Sequence, residues 1–419
     1  MNYSRDNETA KRTIYETIAK IRPADQEAIA KAAERQTNLA KPPGSLGLLE
    51  EISIRIAGMT GQVINKMDCG CVAVFCADNG VAKEGIASAP QSVTMAQTVN
   101  FTRRLTGVGA LCKSYGSELL IVDMGVRDGI PEELYVDEPF EDTHKILNRR
   151  VRSETGQTDN IADGYDYIMS MEEEDRAIAA GIETAEATCA QGFDIMGVGE
   201  MGIGNTTTSA ALLSAITGED AGVTVGRGGG VNDEGFMRKQ EIVDNASLGY
   251  RQSGGILKAV RNPDLPKESY LGGEMSERAI LDRQRAATLD ALQRMGGFEI
   301  CAMVGAFLGA ATCRMPVVID GYISAVAALA AATIAPDAKD YMIASHKSYE
   351  KGYELAVKTL GLKPFMSLDM RLGEGSGCPI AFEIIKGACD VMANMATFEE
   401  AAINDGYLEE IRRNEKYQK

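Results

Sequence analysis

The residues in this chain best suited to do chemistry are single acids set among glycines. Near the C-terminus the sequence reads MRLGEGSGCP, Met370 to Pro379, with Glu374 between two glycines. One acid in so bare a stretch is either a solvated loop tip or a carboxylate that a ligand must approach closely. A second acid, Glu200, lies in GVGEMGIGNTTTSAALL (197–213). There Gly199, Gly202 and Gly204 let a backbone come close to a ligand, while Asn205, Thr206 and Thr207 supply side-chain donors. The amides opening the Ala-rich helix that follows attract anions, so the segment reads as a phosphate or carboxylate site. Gly197, Gly199 and Gly202 also fit the dinucleotide pattern G-x-G-x-x-G, but no acid clearly ends the next strand, which leaves a dehydrogenase the weaker reading. With no Walker lysine, a P-loop enzyme fits poorly. A further stretch, GRGGGVNDEGFMRK (226–239), has five glycines and three cations. It could hold a second face of the phosphate or form a flexible turn.

Other chemistries are excluded by composition. Among 419 residues there are 43 Lys plus Arg against 60 Asp plus Glu, a net charge of −17. A nucleic-acid backbone or an anionic membrane surface needs clustered cations, so neither is an expected partner. The only histidines, His144 and His346, are far apart, and none of the nine cysteines has C-x-x-C spacing. A His- or Cys-based zinc site is not expected, and an odd cysteine count without a disulfide pattern points to a reducing compartment. The N-terminus is polar, with no signal-peptide core. The longest apolar stretch, 300–334, is interrupted by Arg314, Pro316 and Asp320. A soluble cytoplasmic protein is the expectation.

The acids need elements to position them. Short apolar runs alternate with amphipathic stretches: CVAVFCADNG (71–80), ELLIVDMGV (118–126), FDIMGVGEMG (193–202), MPVVIDGY (315–322) and DYMIASHKS (340–348). This alternation predicts βαβ units and an α/β fold built on a parallel sheet with flanking helices. A polar residue follows nearly every run: Asp78, Asp123, Glu200, Asp320, and Ser345 with His346. Each could cap a helix. Together they would converge on one crevice beyond the carboxyl ends of the strands, where open parallel sheets bind ligands. Residues 7 to about 40 and about 380 to 401 have helical periodicity, with Pro23 as a break and Asp25 as a cap. The two chain ends could therefore pack into a small helical bundle. The expected division is 1–66 and 380–419 for that helical part and 67–379 for the α/β domain.

Taken in order, KPPGSLGLLE, CADNGVAKEGIASAPQSVTMAQTVNFTR, GVGEMGIGNTTTSAA, GGFEICAMVGAFLGAA, PVVIDGYISAVAALAA, SHKSYEKG and MRLGEGSG resemble the nicotinate-nucleotide–dimethylbenzimidazole phosphoribosyltransferase (CobT) family from about residue 37 onward. The resemblance implies a Rossmann-like sheet, a small helical domain from both chain ends, and a homodimer with active sites near the subunit contact. It implies transfer of phosphoribose from nicotinate mononucleotide to a benzimidazole nitrogen with release of nicotinate, the step that makes the lower-ligand nucleotide of cobalamin. It assigns Glu374 as general base, since the attacking ring turns its second N–H acidic as the new bond forms. The leaving pyridinium departs neutral, so no metal or other cofactor is expected.

By the same resemblance Gln97 and Ala89 line the aromatic-base pocket, and Leu372 adds apolar surroundings. Glu200 would bind ribose hydroxyls. Gly202, Gly204, Asn205 and Thr206 would face the phosphate, with Lys239 as a cation and Ser345 at the ribose phosphate. Asp320 could support the site or only cap a helix. Asn79 stands where many relatives have His, which removes a titratable group. Ala89 replaces a Ser of some relatives and leaves the acceptor open: a phenol or purine would use the same base. A non-catalytic paralogue partnering an active subunit is a further alternative, opposed by Glu374 and the intact glycine loops. The segment from about Asn245 to Arg294 is longer than in relatives, and its Gly254-Gly255 and Gly272-Gly273 pairs suggest an added loop.

Overall fold

A computed structural model describes residues 7–152, 155–163, 167–252 and 276–408. Gly254, Gly255, Gly272 and Gly273 lie outside the described residues. The described parts of that long segment belong to the helices Asp233–Gln252 and Glu277–Met295.

Seven strands form one sheet: β1 (Gly70–Ala77), β2 (Glu118–Gly125), β3 (Tyr135–Val136), β4 (Ile146–Asn148), β5 (Ile195–Met201), β6 (Val317–Ile319) and β7 (Met342–Ala344). Their order is β3-β4-β2-β1-β5-β6-β7, and every pairing is parallel. All eight residues of β1 are buried, so helices cover both faces, as an all-parallel sheet requires. The apolar runs therefore read as continuous rather than alternating. The chain leaves β1 toward β2 on one side and returns at β5 on the other, so the topological switch lies between β1 and β5. Ligands of open α/β sheets bind outside such a point.

Small residues let the covering helices come close. The helix Phe298–Thr312 crosses Met171–Ala190 with Gly181 against the Ala302 carbonyl and Gly305 against the Ile178 carbonyl. A Cβ at either glycine would overlap backbone. Met171–Ala190 starts with a capping box, Ser170 and Glu173 each bonding the other's backbone N–H.

Asp25 caps the helix Gln26–Asn38 as its position after Pro23 predicts, accepting from the Glu27 and Ala28 amides. That helix and Leu48–Thr60 pack with the far end of Gly377–Asn394, through Ala32, Ala57 and Met392. Arg35 Nε donates to the Met392 carbonyl at 2.8 Å. The first helix, Asn7–Lys20, does not join this group; it lies against Met171–Ala190. The helix Gly377–Asn394 runs across the expected boundary at 379/380, and its near half packs under the sheet, with Cys378 against Gly197 and Phe382 against Gly70. All nine cysteines are free thiols. Among the described residues no helix is long and apolar enough to cross a membrane.

Candidate active site

The carboxyl ends of β5, β6 and β7, with residues 86–97 of the segment that follows β1, surround a cavity of about 260 Å³. Glu374 forms part of its wall and is only 4% exposed. It is therefore not a solvated loop tip. The reason for its glycine neighbours is conformational. Gly373, Glu374 and Gly375 have φ of 86°, 63° and 83°, three successive left-handed residues. Glycine adopts this without penalty; the glutamate is held there at a cost of about 1 kcal/mol or more. Asp320, just after β6, holds the turn by accepting from the Gly375 amide at 3.1 Å and the Gly377 amide at 2.7 Å.

The carboxylate of Glu374 points to the start of the helix Gly107–Tyr115. Its Oε2 accepts from the Val108 amide and its Oε1 from Gln97 Nε2, both at 3.3 Å. Asn100 Nδ2 donates to Gln97 Oε1 at 3.1 Å and so fixes which end of that amide faces the acid. Burial raises the Glu374 pKa above the ordinary glutamate value, while the Val108 and Gly107 amides and Gln97 oppose the rise. The result is a desolvated carboxylate, oriented by two elements and more basic than one in water. Leu372 is 60% exposed at the rim and packs on Gly107, so helix backbone contributes much of the burial of Glu374.

Glu200 ends β5 on the cavity floor. Its Oε2 accepts from Asn205 Nδ2. Burial pushes its pKa up to about 8, Asn205 pulls it down, and the nearby Glu299 and Asp320 push it up again. Asp320 is likewise pushed up to about 7, chiefly by burial. The turn after β5 leads through Gly202 and Gly204 into the helix Asn205–Thr217, whose first residues line the cavity. Gly204, at φ 102°, makes this entry, where an L side chain would be strained.

Gln97, Ala89, Leu372, Glu374, Glu200, Gly202, Gly204, Asn205 and Thr206 are all brought to one cavity. Lys239 is fully buried behind it, with Nζ donating to Thr206 Oγ1 at 2.7 Å. Burial pushes its pKa down to about 8. It underlies Gly228 of the glycine-rich 226–239 segment, and Arg227, Gly228 and Gly229 form the cavity wall there. Ser345 is fully buried and does not line the cavity; its hydroxyl donates to the Asp320 carbonyl at 3.0 Å and contacts the His346 ring. Its place is under the Asp320 turn.

Arg371, Tyr322 and Ser348 also line the cavity and were not singled out from sequence. Arg371 lies three residues before Glu374, and Tyr322 and Ser348 lie two or three positions beyond the polar ends of β6 and β7, so strand-end adjacency was the available signal. Among the described residues there is no cluster of three or more His, Cys, Asp or Glu side chains able to hold a metal ion.

A family model described as phosphoribosyltransferase matches residues 21–260 and 274–403. The nicotinate-nucleotide–dimethylbenzimidazole phosphoribosyltransferase of Clostridium perfringens (strain ATCC 13124) is 44% identical over 402 residues, 96% of this chain and 98% of that protein. The chain belongs to the nicotinate-nucleotide–dimethylbenzimidazole phosphoribosyltransferase family. A member from Clostridium tetani is 38% identical over 398 residues, 95% of this chain and 97% of its own length. The crystal structure of CobT from Thermus thermophilus superposes with a TM-score of 0.75 at 33% identity, covering 91% of this chain and 100% of that one. Family membership displaces the dinucleotide reading of Gly197, Gly199 and Gly202. Gly197 and Gly199 are needed for packing: a Cβ at the first would meet Cys378 Cβ at 2.5 Å, and at the second the Glu374 carbonyl oxygen at 2.5 Å.

Proposed function

We propose that this chain transfers phosphoribose from nicotinate mononucleotide to 5,6-dimethylbenzimidazole or a related aromatic base, giving the α-ribazole phosphate of the cobalamin lower ligand and releasing nicotinate. The observation that carries this reading is the position of Glu374. It is a buried carboxylate on the wall of a cavity that also holds an anion-binding helix start at Asn205 and an apolar margin from Leu372 and Ala89.

The 5′-phosphate sits against the turn at Gly202–Thr206, with the Lys239 ammonium behind Thr206. Glu200 meets the ribose hydroxyls. The aromatic acceptor lies between Gln97, Ala89, Leu372 and Glu374. A lone pair of one benzimidazole nitrogen forms the bond to C1′. The bond from C1′ to the pyridinium nitrogen breaks, and its electrons return to that nitrogen, so nicotinate leaves as a neutral pyridine ring. Positive charge on the benzimidazole acidifies the second N–H, whose proton passes to Glu374. Holding donor and acceptor in line supplies the rest of the acceleration. The protein works on the same reading as a homodimer in the cytoplasm, with Gln26–Asn38, Leu48–Thr60 and the far end of Gly377–Asn394 forming a small helical domain.

The test is Glu374→Gln with nicotinate mononucleotide and dimethylbenzimidazole, products identified by mass spectrometry. The amide keeps shape but cannot take the proton, so kcat should fall about 10²–10⁴-fold with little change in substrate binding. The parent rate should fall at acid pH as Glu374, held above the ordinary glutamate range, takes up a proton; the variant should lack that limb. A variant with parental kcat across the pH range would remove Glu374 as the base. A parent that forms product only with a phenol or a purine would replace the acceptor.

A further inference from the structure

Beneath the phosphate-facing turn lies a pair of side chains that the transfer chemistry does not use. Asn79, just after β1, and Glu299, in the first turn of Phe298–Thr312, are both fully buried. Asn79 Nδ2 donates to Glu299 Oε1 at 2.7 Å. The remaining polar atom of each side chain, Asn79 Oδ1 and Glu299 Oε2, is buried without a hydrogen-bond partner. These two oxygens flank one small space: a Cβ on Gly297 would lie 2.6 Å from Glu299 Oε2 and 2.8 Å from Asn79 Oδ1. Two acceptors facing each other without a donor are costly in a buried site. A single proton on Oε2 removes the conflict, because a carboxylic acid and a primary amide pair through two bonds, each giving one and taking one.

We propose that Glu299 and Asn79 form a neutral acid–amide pair, with the Oε2 hydroxyl donating to Asn79 Oδ1, and that this pair is the positioning support of Gly202 and the phosphate-facing turn. Gly202 rests directly on it: a Cβ there would meet Glu299 Oε1 at 2.9 Å and Asn79 Nδ2 at 3.0 Å. Gly204 rests on it too, its Cβ position lying 3.4 Å from Asn79 Cβ. The Asn205 side chain bonds Glu200 and reaches Glu299, so one amide ties the support to the cavity floor. Neutrality also suits the ligand, since an ionised acid under Gly202 would repel the phosphate above it.

The groups around Glu299 favour the proton. Asp78 at the end of β1 and Glu200 at the end of β5 are both acids. The neighbouring thiols, Cys76 of β1 and Cys301 two residues along its own helix, are held as thiols by burial. Burial raises Glu299 to about 7, against the opposing hydrogen bond from Asn79. An acid whose pKa is raised by folding supports the fold below its unfolded value, and that support is lost as pH rises through the folded value. The pair is therefore intact in the acid range and fails as pH climbs past about 7.

The kinetic arm of the test rests on the phosphoribosyl-transfer reading; the spectroscopic arm does not. Isotope-edited infrared difference spectra of the whole protein, parent minus Glu299→Gln, should show a protonated-carboxyl band at pH 6 that fades through pH 7 to 8. Glu299→Gln rebuilds both hydrogen bonds with a permanent donor. It should keep KM for nicotinate mononucleotide within about threefold of the parent at pH 6 and remove the Glu299 step from the alkaline rise of that KM, leaving Asp320, Glu200 and Lys239 to titrate. Glu299→Ala, which removes the support, should raise the same KM by about ten- to a hundredfold. A difference spectrum with only carboxylate bands at pH 6 would overturn the proposal, as would a Gln variant as impaired as the Ala variant. A parent with no transferase activity but with the acid band would leave the pair standing and remove the function instead.

Discussion

Gly199→Ala is the sharpest test of how the fold holds Glu374, the proposed base. Gly199 lies within β5, and its backbone has no left-handed requirement, so alanine is conformationally allowed. The obstacle is spatial. An added Cβ would sit 2.5 Å from both the Glu374 carbonyl oxygen and the Gly375 nitrogen and 2.6 Å from the Glu374 carbonyl carbon. Ordinary contact starts near 3.4 Å, so about 0.9 Å of overlap must be relieved. β5 is paired on both sides, to β1 and β6, and the turn carrying Glu374 is the part that can give. Overpacking of this kind costs about 1–3 kcal/mol, a fall of a few degrees in Tm. The bonds from Gln97 and Val108 to Glu374 are already 3.3 Å long, so a shift of that size breaks them. A displacement near 1 Å at a catalytic group costs about 10²-fold in kcat. The assay is initial-rate formation of α-ribazole phosphate at saturating substrates, alongside a thermal melt and calorimetric binding of nicotinate mononucleotide. A folded variant with kcat within twofold of the parent would refute the reasoning, because the carboxylate would then tolerate the displacement.

Lys239→Met should weaken nicotinate mononucleotide by tenfold or more, the loss of one charge-assisted interaction, with a smaller effect on kcat. In the parent, calorimetric affinity should decline as pH rises through about 8, where the buried ammonium loses its proton, and the Met variant should show a shallower decline, with the Lys239 part removed. Gly204→Val should weaken nicotinate mononucleotide more than the aromatic base, because φ of 102° and Val81 Cγ1 at 3.1 Å leave a branched side chain no relaxed position; selective loss of the aromatic base would move the phosphate site elsewhere.

The five apolar runs coincide with β1, β2, β5, β6 and β7, because a strand buried on both faces needs an unbroken apolar sequence. β3 and β4 were not legible. They are two and three residues long, sit at one edge, and carry Tyr135 and Asn148 within them. Of the strand-end acids, Glu200 and Asp320 reach the cavity, since parallel strands place their carboxyl ends at one rim, whereas Asp123 turns back to the Gly125 and Val126 amides and Asp78 to the Arg127 amide. Distant contacts were hidden. Nothing in GGFEIC marks Glu299 as the partner of Asn79, 220 positions away. Nor does sequence show that Ser345 turns to the Asp320 carbonyl and Lys239 to the Thr206 hydroxyl. These directions depend on side-chain packing between elements, which periodicity does not encode.

The helix Gly377–Asn394 begins three residues after Glu374 and ends beneath Arg35. It is a stiff rod of 18 residues, about 27 Å long. Phe382 wedged on Gly70 acts as its fulcrum, about 7 Å from the Gly377 end and about 15 Å from Met392. The lever is unequal, so a swing of 1 Å at Met392 arrives at the reactive end as about half that. Movement of the distant helices is thus geared down before it reaches the carboxylate, yet not erased. Changes around Arg35, more than 330 positions from Glu374 in sequence, have a packed route through this one helix to the turn that carries the proposed base.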